Sequence, residues 1–292
     1  MAGTRGISLR RRSGLGYAII RSVIRPQKAR KPSPVTIPDS AQLTAAMHNP
    51  RFFVALGIAI LAGVVRGFSG FGSAQIYIPL IAAVYSPRAA AVSLLIIDTL
   101  GAAPYAVRAL PQCTWAEVLP MSIAAAIAVP VGTWALLVID PVILRWFIAV
   151  LVLSLVIVLA SGWRYHGRPS LLVTAAVGLF SGFGSGAVQI AGPPVLLYWL
   201  GTKNDVITVR ANFLVYFLLL GLTSCAVYIW RGLFTPEFLA LAILLAGPFF
   251  VATAIGARYF HGSSDTLYRR IAYAIIAAAA LVSMPIFDRV LR

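Results

Sequence analysis

Long apolar stretches with almost no charge alternate with short polar segments between Phe52 and Phe287. Each half of the chain has three uninterrupted stretches, at residues 89–107, 117–138 and 146–160, then 211–230, 237–257 and 271–287. Their lengths approach or exceed the roughly 20 apolar residues of a helix that crosses a bilayer. The alternating ten-residue segments of a membrane β-barrel do not occur in the sequence. The pattern therefore predicts an all-α, polytopic membrane protein.

Each half begins with an apolar stretch that a cluster of glycine and serine interrupts. The same six residues, FSGFGS, occupy positions 68–73 and 180–185. Glycine costs a helix about 1 kcal/mol relative to alanine. Residues 52–85 would form a helix of about 51 Å, which is too long for one crossing of a core of about 30 Å and too short for two. We expect a broken or re-entrant pair of half-helices at each cluster.

The two halves carry matching residues in the same order. Phe68 matches Phe180 at an offset of 112 residues, and the offset increases steadily to 125 for Asp140 and Asp265. This order indicates an internal repeat. We predict two homologous modules, residues 51–161 and 171–288, each with a broken element and three spans. If each broken element turns back, the modules are inverted, which we favour; if each crosses once, they are parallel. A polar linker, 162–170, joins them.

The first fifty residues form a basic leader. The chain is 60% hydrophobic and 11% charged with a net charge of +16, and this leader holds nine cations and one acid, Asp39. Such a leader suits a disordered cytoplasmic segment under the positive-inside rule, or a segment that binds nucleic acid or anionic lipid. No nucleic-acid-binding signature accompanies the charge. We therefore expect no nucleic-acid partner, an inner-membrane location and a cytoplasmic N-terminus.

Polar residues around the two clusters are candidates for binding a small anion. A helix that starts after a break presents unpaired amide groups and a partial positive charge, which attract oxyanions. Glycines let a ligand approach the backbone, and side chains from both clusters supply donors. The candidates are Arg66, Ser69, Gly70, Gly72, Ser73, Gln75, Ser181, Gly182, Gly184, Ser185, Gln189 and Arg210. The alternative for Gly178, Gly182 and Gly186, which are four residues apart, is close helix packing.

Asp98 lies in the middle of an apolar span. An intramembrane carboxylate is costly and is by default a functional hypothesis, so Asp98 is a candidate proton carrier. The alternative is a structural acid that pairs with a neighbouring hydroxyl or with arginine, and Arg66 is the candidate.

Enzymatic chemistry finds little support in the sequence. Residues 67–70 have the GxSG form of intramembrane serine proteases, but the histidines, His48, His166 and His261, all lie in polar segments outside the spans. A serine nucleophile needs a nearby base. We predict no catalytic residue, no metal site and no cofactor.

Two stretches resemble the TauE/SafE family of sulfite exporters and related transporters. They are Arg66-Gly67-Phe68-Ser69-Gly70-Phe71-Gly72 with Pro79, and Ser181-Gly182-Phe183-Gly184-Ser185-Gly186 with Gly192-Pro193-Pro194. The likeness extends over about residues 52–287 and implies a two-module transporter of small, often sulfur-containing anions or organosulfonates.

The sequence thus predicts a secondary transporter, most simply an exporter, of anions such as sulfite or sulfonates, with Asp98 as a proton carrier. The alternatives are a passive anion channel and a membrane scaffold that transports nothing. The expected partners are the anion and the lipid bilayer, and a homo-oligomer is compatible with this interpretation.

Overall fold

The computed structural model describes residues 36–69, 72–162, 170–202, 204–259 and 265–287. In those residues the regular structure is helical. The α-helices are α1 (Ser40–His48), α2 (Pro50–Ser69), α3 (Ser73–Val84), α4 (Pro87–Ala109), α5 (Trp115–Val138), α6 (Pro141–Ala160), α7 (Leu171–Val188), α8 (Gly192–Trp199), α9 (Val206–Trp230), α10 (Pro236–Tyr259) and α11 (Asp265–Val282). Seven of them are long and apolar enough to cross a membrane. The prediction of an all-α polytopic membrane protein is confirmed.

Helix α5 shows how the bundle meets lipid. One row of its side chains, spaced by about four residues, is exposed although apolar: Trp115, Leu119, Ile123, Ile127, Val131 and Trp134. The two tryptophans at the ends of the row are about 28 Å apart along the helix, close to the roughly 30 Å of the hydrocarbon core. Tryptophan concentrates at the two membrane interfaces, so this face suits contact with acyl chains.

The end of the basic leader is ordered, which corrects part of our prediction. Residues 40–48 form α1, whose first turn is closed by a capping box: Asp39 accepts from the amide of Gln42 at 2.7 Å, and the Gln42 side chain accepts from the amide of Asp39 at 3.2 Å. This reciprocal pair satisfies two amides that a helix start leaves open. Residues 1–35 lie outside the described residues.

Helices α2 and α3 form a re-entrant hairpin. At its tip, Arg66 near the end of α2 donates to Ser73 at the start of α3. At its open end, Asn49 before α2 and Tyr85 after α3 line one cavity together. The chain thus returns to the end of the bundle from which it entered, and Gly72, directly before α3, lies at the tip of the hairpin.

Helices α7 and α8 form a second hairpin, with a tip that we placed wrongly. The second FSGFGS copy lies entirely inside α7, and the break follows at Gln189–Ala191. Helix α8 folds back along α7: the hydroxyls of Thr174 and Tyr198 are 2.6 Å apart near the open end, and Ser181 donates to the carbonyl of Ala191 near the tip.

Contacts at the two ends of the bundle show that the hairpins enter from opposite ends. At the first end, Arg88 at the start of α4 donates to the carbonyl of Leu137 at the end of α5. Also there, Glu237 shares a cavity with Tyr85. At the other end, Glu117 at the start of α5 accepts from the side chains of Trp199 and Asn204, beside the exit of α8. Three crossings, α4 to α6, separate the entries of the two hairpins.

The long arm of each hairpin packs against a spanning helix of the other half. Helix α2 packs along α10, and α7 packs along α5. Both interfaces rely on glycine: a Cβ on Gly67 would overlap the carbonyl oxygen of Thr253, and a Cβ on Gly182 would overlap that of Ala125. Such contacts let helix backbones approach closely. Duplication and inversion of the modules stay predictions, with which this reciprocal packing agrees.

Candidate functional site

A cavity of about 150 Å³ lies between the tips of the two hairpins. Helices α4 and α9 close its sides. From the hairpins, the polar wall consists of Arg66, Ser73, Gln75, Ser185 and Gln189. Irregular backbone at membrane depth survives where it is buried in protein or lines a wet cavity. The two breaks therefore meet at one polar space inside an apolar bundle.

The first hairpin supplies the charged part of the cavity. Nη1 of Arg66 lies 2.5 Å from Oδ1 of Asp98 on α4, and it also donates to Oγ of Ser73 at 3.2 Å. The two charged side chains are 28% and 33% exposed, respectively. Asp98 thus pairs with Arg66, as the structural alternative expects, and the pair lines the cavity, where a proton carrier would also have to lie.

The start of α3 is an unblocked helix terminus at the cavity wall. Gly72, the N-cap residue, has φ of 98°, a left-handed conformation that favours glycine. Glycine has no side chain with which to cap the helix, so its first turn has no side-chain cap hydrogen bond from this residue. Gly72, Ser73, Ala74 and Gln75 all line the cavity. Amides at such a terminus carry a partial positive charge.

The second hairpin supplies a neutral polar wall. Oγ of Ser185 lies 3.1 Å from Oγ of Ser224 on α9, and Nε2 of Gln189 donates to the hydroxyl of Tyr228 at 3.4 Å. Gln189 has φ of 56°, the positive φ of a non-glycine residue that ends α7. Residues held in this conformation concentrate at functional sites, and Gln189 lines the cavity.

The start of α8 does not repeat the start of α3. Its second and third residues are Pro193 and Pro194, which have no backbone N–H. The hydroxyl of Ser181 is committed here, since it donates to the carbonyl of Ala191 and accepts from Tyr216 at 2.8 Å. We expected both hairpins to direct amide groups at one anion. The start of α3 is compatible with this expectation, whereas the two prolines leave fewer amide donors at the start of α8.

Seven of the predicted residues line the cavity together: Arg66, Gly72, Ser73, Gln75, Ser185, Gln189 and the proton-carrier candidate Asp98. Ser181, Gly182, Gly184 and Arg210 do not line it. Arg210 is exposed at the start of α9. Gly70 and the side chain of Ser69 lie outside the described residues.

The glycines of the second copy serve packing. Gly178, Gly182 and Gly186 face the backbone of α5, where a Cβ on each would overlap a carbonyl oxygen. A Cβ on Gly184 would overlap the carbonyl oxygen of Ile190, because the chain folds back over the end of α7. The structure therefore favours the packing alternative for this copy, while approach of a ligand to Gly182 and Gly184 stays a prediction; neither residue lines the cavity.

Sequence reasoning missed the residues that α9 contributes. Phe213 and Phe217 form an apolar wall of the cavity, and Ser224 and Tyr228 hold the second hairpin. These residues lie in an uninterrupted apolar span, where aromatic side chains normally face lipid or the core. The hydroxyl groups of Ser224 and Tyr228 were the available signal in the sequence, and they do not by themselves indicate a site.

Comparison with known proteins gives the family. The model of the family described as sulfite exporter TauE/SafE matches residues 55–283. No curated protein and no solved structure matches the chain. Members of this family are membrane transporters rather than enzymes. Together with the apolar helices, the match shows that this chain is a multi-pass membrane transporter and belongs to the TauE/SafE family.

Proposed function

We propose that the protein is a secondary transporter that exports small anions such as sulfite, sulfonates or related organic anions, coupled to protons through Asp98. The observation that carries this proposal is the placement of Arg66, held by Asp98 and Ser73, beside the open start of α3 in a cavity at the two breaks. A cation and a helix N-terminus that face one small polar cavity form a favourable site for an oxyanion.

The Arg66–Asp98 pair provides a route to coupling. A charged Asp98 occupies the guanidinium that an anion would bind, so acid and substrate compete. A proton on Asp98 removes this competition, because the neutral acid holds Arg66 less strongly. Anion and proton then bind together and move in the same direction. Net flux follows their combined gradients, and export results where the anion accumulates inside.

Entry of the hairpins from opposite ends suits a conformational change between two states of the transporter. Each hairpin enters from one end and reaches the cavity with its tip, so rocking of one half against the other would open the cavity to either end in turn. The cations of residues 1–35 favour a cytoplasmic location for the end of the bundle at which α2 begins.

Sulfite flux in proteoliposomes tests the proposal. Acidifying the compartment that contains sulfite should increase net flux of the wild-type protein. Asp98→Asn, which cannot release or take up the proton, should abolish the response to the pH gradient, while exchange of sulfite for sulfite continues. Equal flux of wild type and variant at every gradient would indicate a passive channel, and absence of flux from both would reject transport of this anion.

A further inference from the structure

The charges that line the cavity cancel. Arg66 carries one positive charge and Asp98 one negative charge, and the other described lining residues are uncharged. The start of α3 adds a partial positive charge of about half an elementary charge. With both side chains charged, a bound monoanion leaves about half an elementary charge uncompensated. A dianion leaves about one and a half, which is costly away from water.

Gln75 has an acceptor atom without a donor. It is 3% exposed, and its Oε1 has no hydrogen-bond partner among the described residues. Leaving a buried acceptor unsatisfied is energetically costly, because the group has lost its bonds to water. Because Gln75 lines the cavity, a bound molecule is the natural source of the missing donor.

Gln42 shows what a glutamine at this helical position does when it serves the helix. Gln42 and Gln75 are each the third residue of their helices, α1 and α3. The Gln42 side chain folds back and accepts from the amide of its N-cap residue, as in a capping box. Gln75 does not make this bond, although its N-cap residue, Gly72, has no side chain in the way. The acceptor of Gln75 is thus left for another partner.

We propose that the cavity selects monoanions that carry their own N–H or O–H donor, with the anionic oxygens at Arg66 and the α3 amides and the donor on Oε1 of Gln75. The inference rests on the proposed function and narrows its substrate class. Fully deprotonated dianions, and monoanions in which a methyl group replaces the donor, bind more weakly. A site built to accept from a donor rejects the analogue that lacks it, since its buried acceptor then stays unpaired.

Sulfamate and methanesulfonate form a matched pair of probes. Both are sulfonate monoanions of nearly equal size, and they differ in an amino group against a methyl group. Isothermal titration of the purified wild-type protein should give about tenfold tighter binding of sulfamate, the effect of one hydrogen bond. Sulfate, a dianion, should bind more weakly than both.

Gln75→Met, similar in length but without an acceptor amide, should bind the two monoanions equally. Gln112→Met, at an exposed glutamine, is the control and should keep the preference.

Each outcome decides a separate claim. Equal wild-type affinities for sulfamate and methanesulfonate would overturn the selection of donors and leave anion transport intact. A preference that persists in Gln75→Met would overturn the role of Gln75. Tighter binding of sulfate would overturn the charge argument. Failure of all three anions to bind would reject the anion site itself and with it the proposed function. The wild-type ratio needs no variant, so the test stands even if Gln75→Met does not fold.

Discussion

The two hairpins contain the same six residues and use them differently. In the first, FSGFGS extends across the tip: α2 ends at Ser69, and α3 begins at Ser73. In the second, all six residues are helical, and the tip follows them. The first tip provides Arg66, which pairs with Asp98, and an open helix start. The second tip provides hydroxyl and amide side chains. The difference teaches that a motif rich in glycine allows a break but does not place it.

Replacing a glycine at either helix interface should lower the stability of the protein by a similar amount. This is the largest effect that we expect. Gly182→Ala and Gly67→Ala each introduce a Cβ where a facing backbone leaves no room. Overpacking of this kind typically costs about 1–3 kcal/mol, and we expect the upper part of that range because backbone cannot move aside. Thermal unfolding in detergent measures it. Gly57→Ala on α2, where a Cβ meets nothing within 4 Å, is the matched control. A loss of stability in only one half would break the equivalence of the interfaces.

The helix starts should differ, and a proline exchange sharpens that contrast. Ala74→Pro gives α3 a proline as its second residue, the position that Pro193 occupies in α8. It removes one amide at the cavity, so we expect sulfite to bind about tenfold more weakly, the effect of one hydrogen bond to a charged group. Pro193→Ala restores an amide to α8 and should leave sulfite affinity unchanged. Titration calorimetry checks both variants. A gain in sulfite affinity in Pro193→Ala as large as the loss in Ala74→Pro would show that the two helix starts share the anion.

Gln189 provides the smallest effect and tests strain at the second tip. Its left-handed backbone costs a side chain roughly 1–2 kcal/mol relative to glycine, partly offset by the bond to Tyr228. Gln189→Gly should therefore leave the free energy of unfolding unchanged or raise it by about 1 kcal/mol or less. An equal or slightly higher unfolding temperature would show this. Sulfite flux should decrease several-fold, because a polar group at the cavity is lost. Unchanged flux would mean that Gln189 only ends the helix.

Sequence reasoning was most successful where polar residues interrupt apolar stretches. Arg66, Asp98, Gln75 and Gln189 are individually improbable at membrane depth, so each could be named, and the structure brings them to one cavity. The broken elements could also be expected, since glycine and serine weaken helices.

The location of the second break could not be predicted from the hexapeptide. Gly182 of the hexapeptide and its neighbours Gly178 and Gly186 lie against α5, and this packing keeps the segment helical despite its low propensity. Propensity is a local property, whereas Ala125 of the partner helix, which faces Gly182, is 182 − 125 = 57 residues away in sequence. The signal that could have placed the break is Gly192-Pro193-Pro194, because proline is typical of the first turn of a helix.

In the proposed cycle the charges of Arg66 and Asp98 cancel, so the empty carrier would have no net charge to move when it changes conformation. A membrane voltage of 100 mV, worth about 2.3 kcal/mol per elementary charge, then barely opposes the return step. With one monoanion and one proton bound, the loaded form is equally neutral. The cell's electrical potential would thus leave this transporter's cycle almost untouched, and concentration gradients alone would set its pace and direction.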